Sequence, residues 1–174
     1  AGVFSESREG RVSAASGVSG RTLIELLDLN TVGAYRVVVV ALPVIFRQGS
    51  GRIVNISSDM AGSKALQSGE APAGGFCVGY RMSKAVLNLM TCALAAEVDG
   101  TAVRVNAVSP GLVRTEMGRP EAVCSVSEGA DTIVWLATLD AGGPNGALLR
   151  DRKVVPCFRT PVGHGRRGDL HSDR

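Results

Sequence analysis

Two short β-branched runs, Arg52 to Ser57 and Val103 to Val108, stand on either side of a long segment with helical periodicity, and this alternation constrains the fold more than any other feature of the chain. A third short run near Ala147-Leu148-Leu149 follows a second helical segment marked by Ile133, Val134, Leu136 and Leu139. That segment opens with Ser125-Val126-Ser127-Glu128, the S-x-x-E pattern of a capping box. Strand, helix, strand, helix, strand in this order predicts parallel strands near 52–57, 103–108 and 147–149, joined by crossover helices in an α/β sheet.

The remaining segments read less cleanly. Residues 3–20 are polar and rich in Gly and Ser, which reads as a loop. From Thr22, Leu23, Leu26, Leu27 and Leu29 recur at helical spacing, and the apolar stretch runs on past Asn30 and Tyr35 towards Arg47. Its Val37 to Val40 favours a strand locally, but the segment is too long and unbroken for one, so we expect a mostly buried helix, bent near Pro43. Residues 59–79 lack periodicity and hold five glycines, which predicts a long loop of the kind that often carries function. The segment from Tyr80 through Leu94 is helical until Asp99-Gly100 stops it. After Cys157 no pattern survives, and 158–174 reads as a disordered tail beyond a domain of 1–157.

Composition narrows the chemistry. With 174 residues, 45% of them hydrophobic, and 22 glycines against one Trp, two Tyr and four Phe, the chain suits one layered α/β domain with an aliphatic core. Of the net charge of +3, the tail supplies Arg159, Arg166, Arg167 and Arg174 against Asp169 and Asp173, leaving the body nearly neutral and without the basic stripe of a nucleic-acid binder. The longest uninterrupted apolar run, Val37 to Phe46, is ten residues with a proline inside, so no membrane-crossing segment is expected. Cys77, Cys92, Cys124 and Cys157 show no metal-ligand spacing and read as reduced thiols in a cytoplasmic protein, with no metal site. Both histidines, His164 and His171, lie in the tail, which removes the commonest nucleophilic triads from the body.

Acid–base chemistry must therefore come from another group, and Tyr80 with Lys84 supplies one. Four apart on a helix, phenol and ammonium share a face. A nearby cation favours the phenolate, so a tyrosine whose ordinary pKa is about 10 can act as a general acid or base. The pair alone occurs often by chance. Its weight comes from order: a strand ending in Ser57-Ser58, a loop, Tyr80-x-x-x-Lys84 opening a helix, then a strand running into Ser109-Pro110-Gly111. Ligands bind at the carboxyl ends of parallel strands, so these pieces fall beside one cleft.

Asn30 within LDLNTVG, the stretch GRIVNISS, Tyr80 to Lys84, and RVNAVSPGLVRT together closely resemble the short-chain dehydrogenase/reductase family. The likeness runs over about residues 1–156, and GADTIVWLATLDAGGPNGALLRDRK resembles the end of carbonyl-reductase-type members. The resemblance implies the C-terminal portion of a Rossmann-like doubly wound sheet, with hydride moving between NAD(P)(H), NADP slightly favoured, and a small carbonyl or alcohol substrate. It implies that Tyr80 exchanges a proton with the substrate oxygen, that Lys84 lowers the phenol's pKa and binds the nicotinamide ribose, and that Ser58, with Ser57 as the alternative, donates to the reacting oxygen. It further implies that Asn30 holds a water on a relay to Lys84, and that Pro110, Gly111, Val113 and Thr115 hold the nicotinamide carboxamide and a phosphate. Ala1-Gly2-Val3 resembles the end of the family's Asn-Asn-Ala-Gly motif, which makes Gly2 a cofactor-binding position.

Two departures from the family pattern shape the expectations. No strand, spaced glycines and helix occur in residues 1–20, so the Gly-rich pyrophosphate loop is missing, and we expect a chain truncated at its N-terminal side, inactive alone. The separation of Ser58 from Tyr80 is longer than usual in the family, which points to a segment shaping the substrate pocket. An alternative reading is a non-catalytic remnant that keeps helices 31–48 and 80–98, the pair that commonly joins subunits in the family; a homo-oligomer is expected of the full-length form in either case.

Overall fold

The computed structural model describes residues 15–62, 77–117 and 122–156. Gly2, Cys157, the tail histidines and most of the expected 59–79 loop lie outside the described residues. Within them the elements run α1 (Gly20–Leu27), a π-helical turn (Asp28–Val32), α2 (Gly33–Gln48), β1 (Ser50–Ile56), a short 3-10 turn (Asp59–Ala61), α3 (Val78–Glu97), β2 (Ala102–Val108), α4 (Val126–Thr138), β3 (Leu148–Arg150) and β4 (Lys153–Val154).

The sheet order is β1-β2-β3-β4. β1 pairs with β2 in parallel, Ile53 opposite Val105 and Ile56 opposite Val108, and β2 pairs with β3 in parallel, Val108 opposite Leu149. β4 was not expected. It turns back antiparallel on β3 through Asp151 and Arg152, both at positive φ (50° and 58°), the backbone that a two-residue hairpin turn demands. The expected strands thus start one or two residues early or late, and the parallel α/β topology is as expected.

Side chains alternate across the sheet because successive residues of a strand point to opposite faces. Val103 and Val105 of β2 meet Val38 and Leu42 of α2, Leu94 and Ala95 of α3 and Val98 just after it, with Ile53 packed alongside. Val108 and Leu149 meet Leu136 of α4 on the other face, with Val54, Ile56, Ile133 and Trp135 around them. Helices therefore cover both faces, which is the doubly wound arrangement. Each fully buried Leu or Val here contributes about 1.5–3 kcal/mol relative to an exposed one.

One expectation about the N-terminal helix is corrected. It is a helix, but α2 buries only Val38 and Leu42; Val37 is 69% and Val40 76% exposed, because a single stripe is enough to cover the sheet. Helical geometry also runs unbroken through the π turn, so Gly20–Gln48 forms 29 residues that contain an 18-residue window of mean hydropathy 1.8, long and apolar enough to cross a bilayer by length and composition alone. The helix packs on the sheet and on α3 within the α/β layers, with Asn30 and Thr31 hydrogen-bonded to Ser83.

Candidate active site

β1 delivers its last residues to the carboxyl edge of the sheet, and two serines leave it in different directions. The Ser57 hydroxyl is buried and reaches back towards the Lys84 carbonyl at 3.5 Å, while its N–H donates to the Val108 carbonyl at 2.7 Å. Ser58 faces the cavity: its Oγ accepts from the Met60 N–H at 3.2 Å, capping the 3-10 turn, and its hydroxyl hydrogen-bonds the Tyr80 phenol. The alternation of a strand separates the pair. Ser58 is therefore the hydroxyl that stands with Tyr80.

α3 begins just after Cys77, which sits in the left-handed region at φ 58°, unusual for a residue with a Cβ. The turn brings Tyr80 inward to 9% exposure and Lys84 to 3%. Lys84 Nζ donates to the Ile56 carbonyl at 2.9 Å and lies 5.6 Å from the centre of the Tyr80 ring. Burial pulls Lys84 down from its ordinary value to about 8. Burial also pushes the Tyr80 phenol upwards, the Ser58 hydrogen bond works against it, and the Asp59 and Cys77 charges add to it. The phenol is thus raised rather than lowered, because the same burial that brings Tyr80 and Lys84 together disfavours both charged forms.

Asn30 joins this group from the π turn, a local widening of the helix that recurs at functional sites. Its side-chain amide donates to the Ser83 Oγ at 3.1 Å, Thr31 donates to the Ser83 carbonyl at 2.7 Å, and the Ser83 hydroxyl donates to the Tyr80 carbonyl at 2.7 Å. Ser83 is fully buried and ties the π turn to the Tyr80 turn of α3.

A cavity of about 540 Å³ opens over these groups, bordered by Ser58, Tyr80 and Lys84 on one side and by Pro110, Gly111, Val113 and Thr115 on the other. Gly111 has φ +73°, which allows the chain to turn sharply out of β2. All the expected site residues except Gly2 line this cavity or, for Asn30, stand behind it. Sequence reasoning missed Asp59 and Arg150, which also line it and pair with each other across 91 residues of chain. Periodicity cannot reveal a partner that distant. It also missed the structural work of Asn55 and Asn106, whose amides bond Thr91 at 2.9 Å and the Pro144 carbonyl at 2.6 Å and so hold β1 on α3 and β2 on the Pro144 turn.

A profile of the short chain dehydrogenase family matches residues 1–122. Carbonyl reductase (NADPH) 1 of Mus musculus is 40% identical over 83 residues, 44% of this chain and 30% of the mouse protein. The rabbit (Oryctolagus cuniculus) protein of the same name is 53% identical over 57 residues, 32% of this chain and 21% of that protein. The matches thus span less than a third of these relatives' own length. Among solved structures, salutaridine reductase from Papaver somniferum superposes with a TM-score of 0.62 at 29% identity, over 74% of this chain and 54% of that one. The NADPH-bound carbonyl reductase from chicken fatty liver shares the fold at a TM-score of 0.71 and 23% identity, over 89% of this chain and 62% of that one. With the family profile covering most of its length, the chain belongs to the short-chain dehydrogenase/reductase family of oxidoreductases and is carbonyl-reductase-like.

Proposed function

We propose that the protein carrying this chain reduces a small carbonyl compound with NADPH, Tyr80 giving the proton and Ser58 holding the reacting oxygen. The observation that carries this reading is the convergence of Ser58, Tyr80 and Lys84 on the floor of one cavity at the carboxyl ends of parallel strands.

The residues fit the nicotinamide end of such a cofactor: the cavity wall opposite Tyr80 is formed by Pro110, Gly111, Val113 and Thr115, where the missing Cβ of Gly111 lets backbone approach a flat ring. Lys84 and Thr115 would hold it, with NADP preferred over NAD on the strength of the NADPH-dependent relatives. The bound cofactor supplies the hydride. The Ser58 hydroxyl donates to the carbonyl oxygen and stabilises charge as it develops there. Tyr80 donates its proton to the same oxygen, and a phenol held above its ordinary pKa stays protonated across neutral pH, which favours the reducing direction. The Lys84 ammonium keeps positive potential beside the phenol as that proton leaves. Asn30 acts behind Tyr80 through Ser83, the route by which a relay to Lys84 would be fixed.

The whole protein also forms a homo-oligomer in this reading. Val37, Val40 and Val44 on α2 make one exposed apolar stripe, and Met82, Val86 and Leu89 on α3 another. Among the described residues Cys92 and Cys124 are reduced thiols, which supports the cytoplasm as its setting.

The test uses protein expressed from the whole open reading frame, with NADPH and a panel of ketones and aldehydes, followed by loss of nicotinamide absorbance. Tyr80→Phe is expected to cost about 10²–10⁴-fold in kcat. Ser58→Ala is expected to cost about 10²–10³-fold. Full turnover by Tyr80→Phe would remove the phenol from the chemistry.

A further inference from the structure

We propose that Arg150, through its ion pair with Asp59, is a positioning residue for the Ser58–Tyr80 pair: it fastens the turn that carries Ser58 to the ends of β2 and β3 and neutralises the carboxylate that faces the phenol.

Three strand ends meet at this point. The turn after β1 supplies Asp59, next in chain to Ser58; its N–H donates to the Ser109 Oγ at 3.0 Å. The end of β2 supplies Ser109 and Gly111, whose N–H donates to the same hydroxyl at 3.4 Å. The end of β3 supplies Arg150, whose Nη1 donates to Asp59 Oδ2. The guanidinium also lies against Gly111, where an added Cβ would stand 3.3 Å from an Arg150 nitrogen. Ser58 thus rests on a clamp drawn from three strands, and among the described residues Arg150 is its one cation.

The clamp also decides what charge the phenol sees. Tyr80 is faced by Ser58 and Asp59 from the turn after β1, by Cys77 from the residue before α3, and by Lys84 one turn along α3. Arg150 comes from β3 on the cavity wall, and Arg81 turns away to the Met60 carbonyl at 3.0 Å. Asp59 acts on the phenol as a negative charge, opposing its ionisation. Among the described residues its second oxygen, Oδ1, is buried without a hydrogen-bond partner, and Arg150 is the cation paired with this carboxylate. Removing the arginine leaves that carboxylate without its cation beside the proton donor, which opposes ionisation of the phenol further.

This inference rests on reading Ser58 and Tyr80 as the reacting pair, and its test separates the two. The Tyr80 ring carbon bonded to oxygen, assigned by the loss of its signal in Tyr80→Phe, is titrated by NMR in the cofactor-free protein; turnover is measured in parallel on the whole protein. Arg150→Met is expected to move the Tyr80 titration up by about half to one pH unit, and Asp59→Asn to move it down. The double variant should return close to the starting value. Opposite shifts, with a fall in kcat rather than a rise in KM for Arg150→Met, support the inference. A role confined to packing would move both single variants the same way or neither, and that result, with turnover intact, overturns the inference alone. Opposite shifts in a protein that turns over no carbonyl compound overturn the proposed reaction while leaving the clamp in place. If Arg150→Met does not fold, Arg150→Lys serves: it keeps the charge without the planar fork, and its Tyr80 titration should stay with the wild type. A change as large as that expected of the methionine variant would sink the charge argument.

Discussion

Lys84 carries the sharpest test at the scale of single residues, because its burial has a sign in pH. In the unfolded chain it takes up its proton at its ordinary value of 10.5, and in the fold at about 8. Between these the unfolded chain binds more protons, so stability rises with pH through this window, and below about pH 8 the full cost of the buried ammonium is carried. Lys84→Met removes that cost. Its urea midpoint relative to wild type is expected to be most favourable near pH 7 and to lose ground steadily towards pH 10; a difference independent of pH would show that the ammonium is not buried as described. Tyr80 has the opposite sign: its raised pKa favours the fold below its ordinary value and costs stability above it, so the measurement stays below that point. The pairing of Tyr80 with Lys84 was readable from helical spacing. Which serine faces the phenol was not, because it depends on where the strand stops alternating, and a one-residue error there exchanges Ser57 for Ser58.

Elements were readable where one signal dominated. The capping box at Ser125 and Glu128 is present: the Glu128 N–H donates to Ser125 Oγ at 3.2 Å and the Ser125 N–H to a Glu128 oxygen at 2.7 Å, as four residues of sequence predicted. The burial of α2 was not readable, since a run of valines looks alike whether it faces a core, a partner or water. Its seat on the sheet is set by a glycine: a Cβ on Gly51 would lie 2.4 Å from the Cγ2 of Ile45, so β1 and α2 approach as closely as they do only because that atom is absent. Gly51→Ala is expected to cost about 1–3 kcal/mol. Calorimetry should record this as a fall in Tm of about 2–4 °C per kcal/mol. An unchanged Tm would mean that α2 does not rest there. The short β4 escaped notice because two residues carry no periodicity, and only the positive φ of Asp151 and Arg152 makes the hairpin.

For the whole molecule, two apolar stripes are left on the outside of the helical layer, and β1 stands at the sheet edge with β2 as its one strand partner among the described residues. If the stripes join subunits, Val37→Glu with Val40→Glu should lower the mass measured by light scattering to that of a monomer while leaving the circular dichroism intact. A mass unaffected by both charges would place any interface elsewhere. The sequence by itself determined the alternation of strands and helices, the parallel sheet that follows from it, and the residues gathered at one cleft, since all of these depend on local periodicity and on chain order. Only the tertiary structure decided that burial raises the Tyr80 phenol, that α2 turns most of its valines outward, and that Asp59 and Arg150 meet beside the proton donor. Desolvation, exposure and long-range ion pairs depend on which groups come close in space, and no spacing along the chain records that distance.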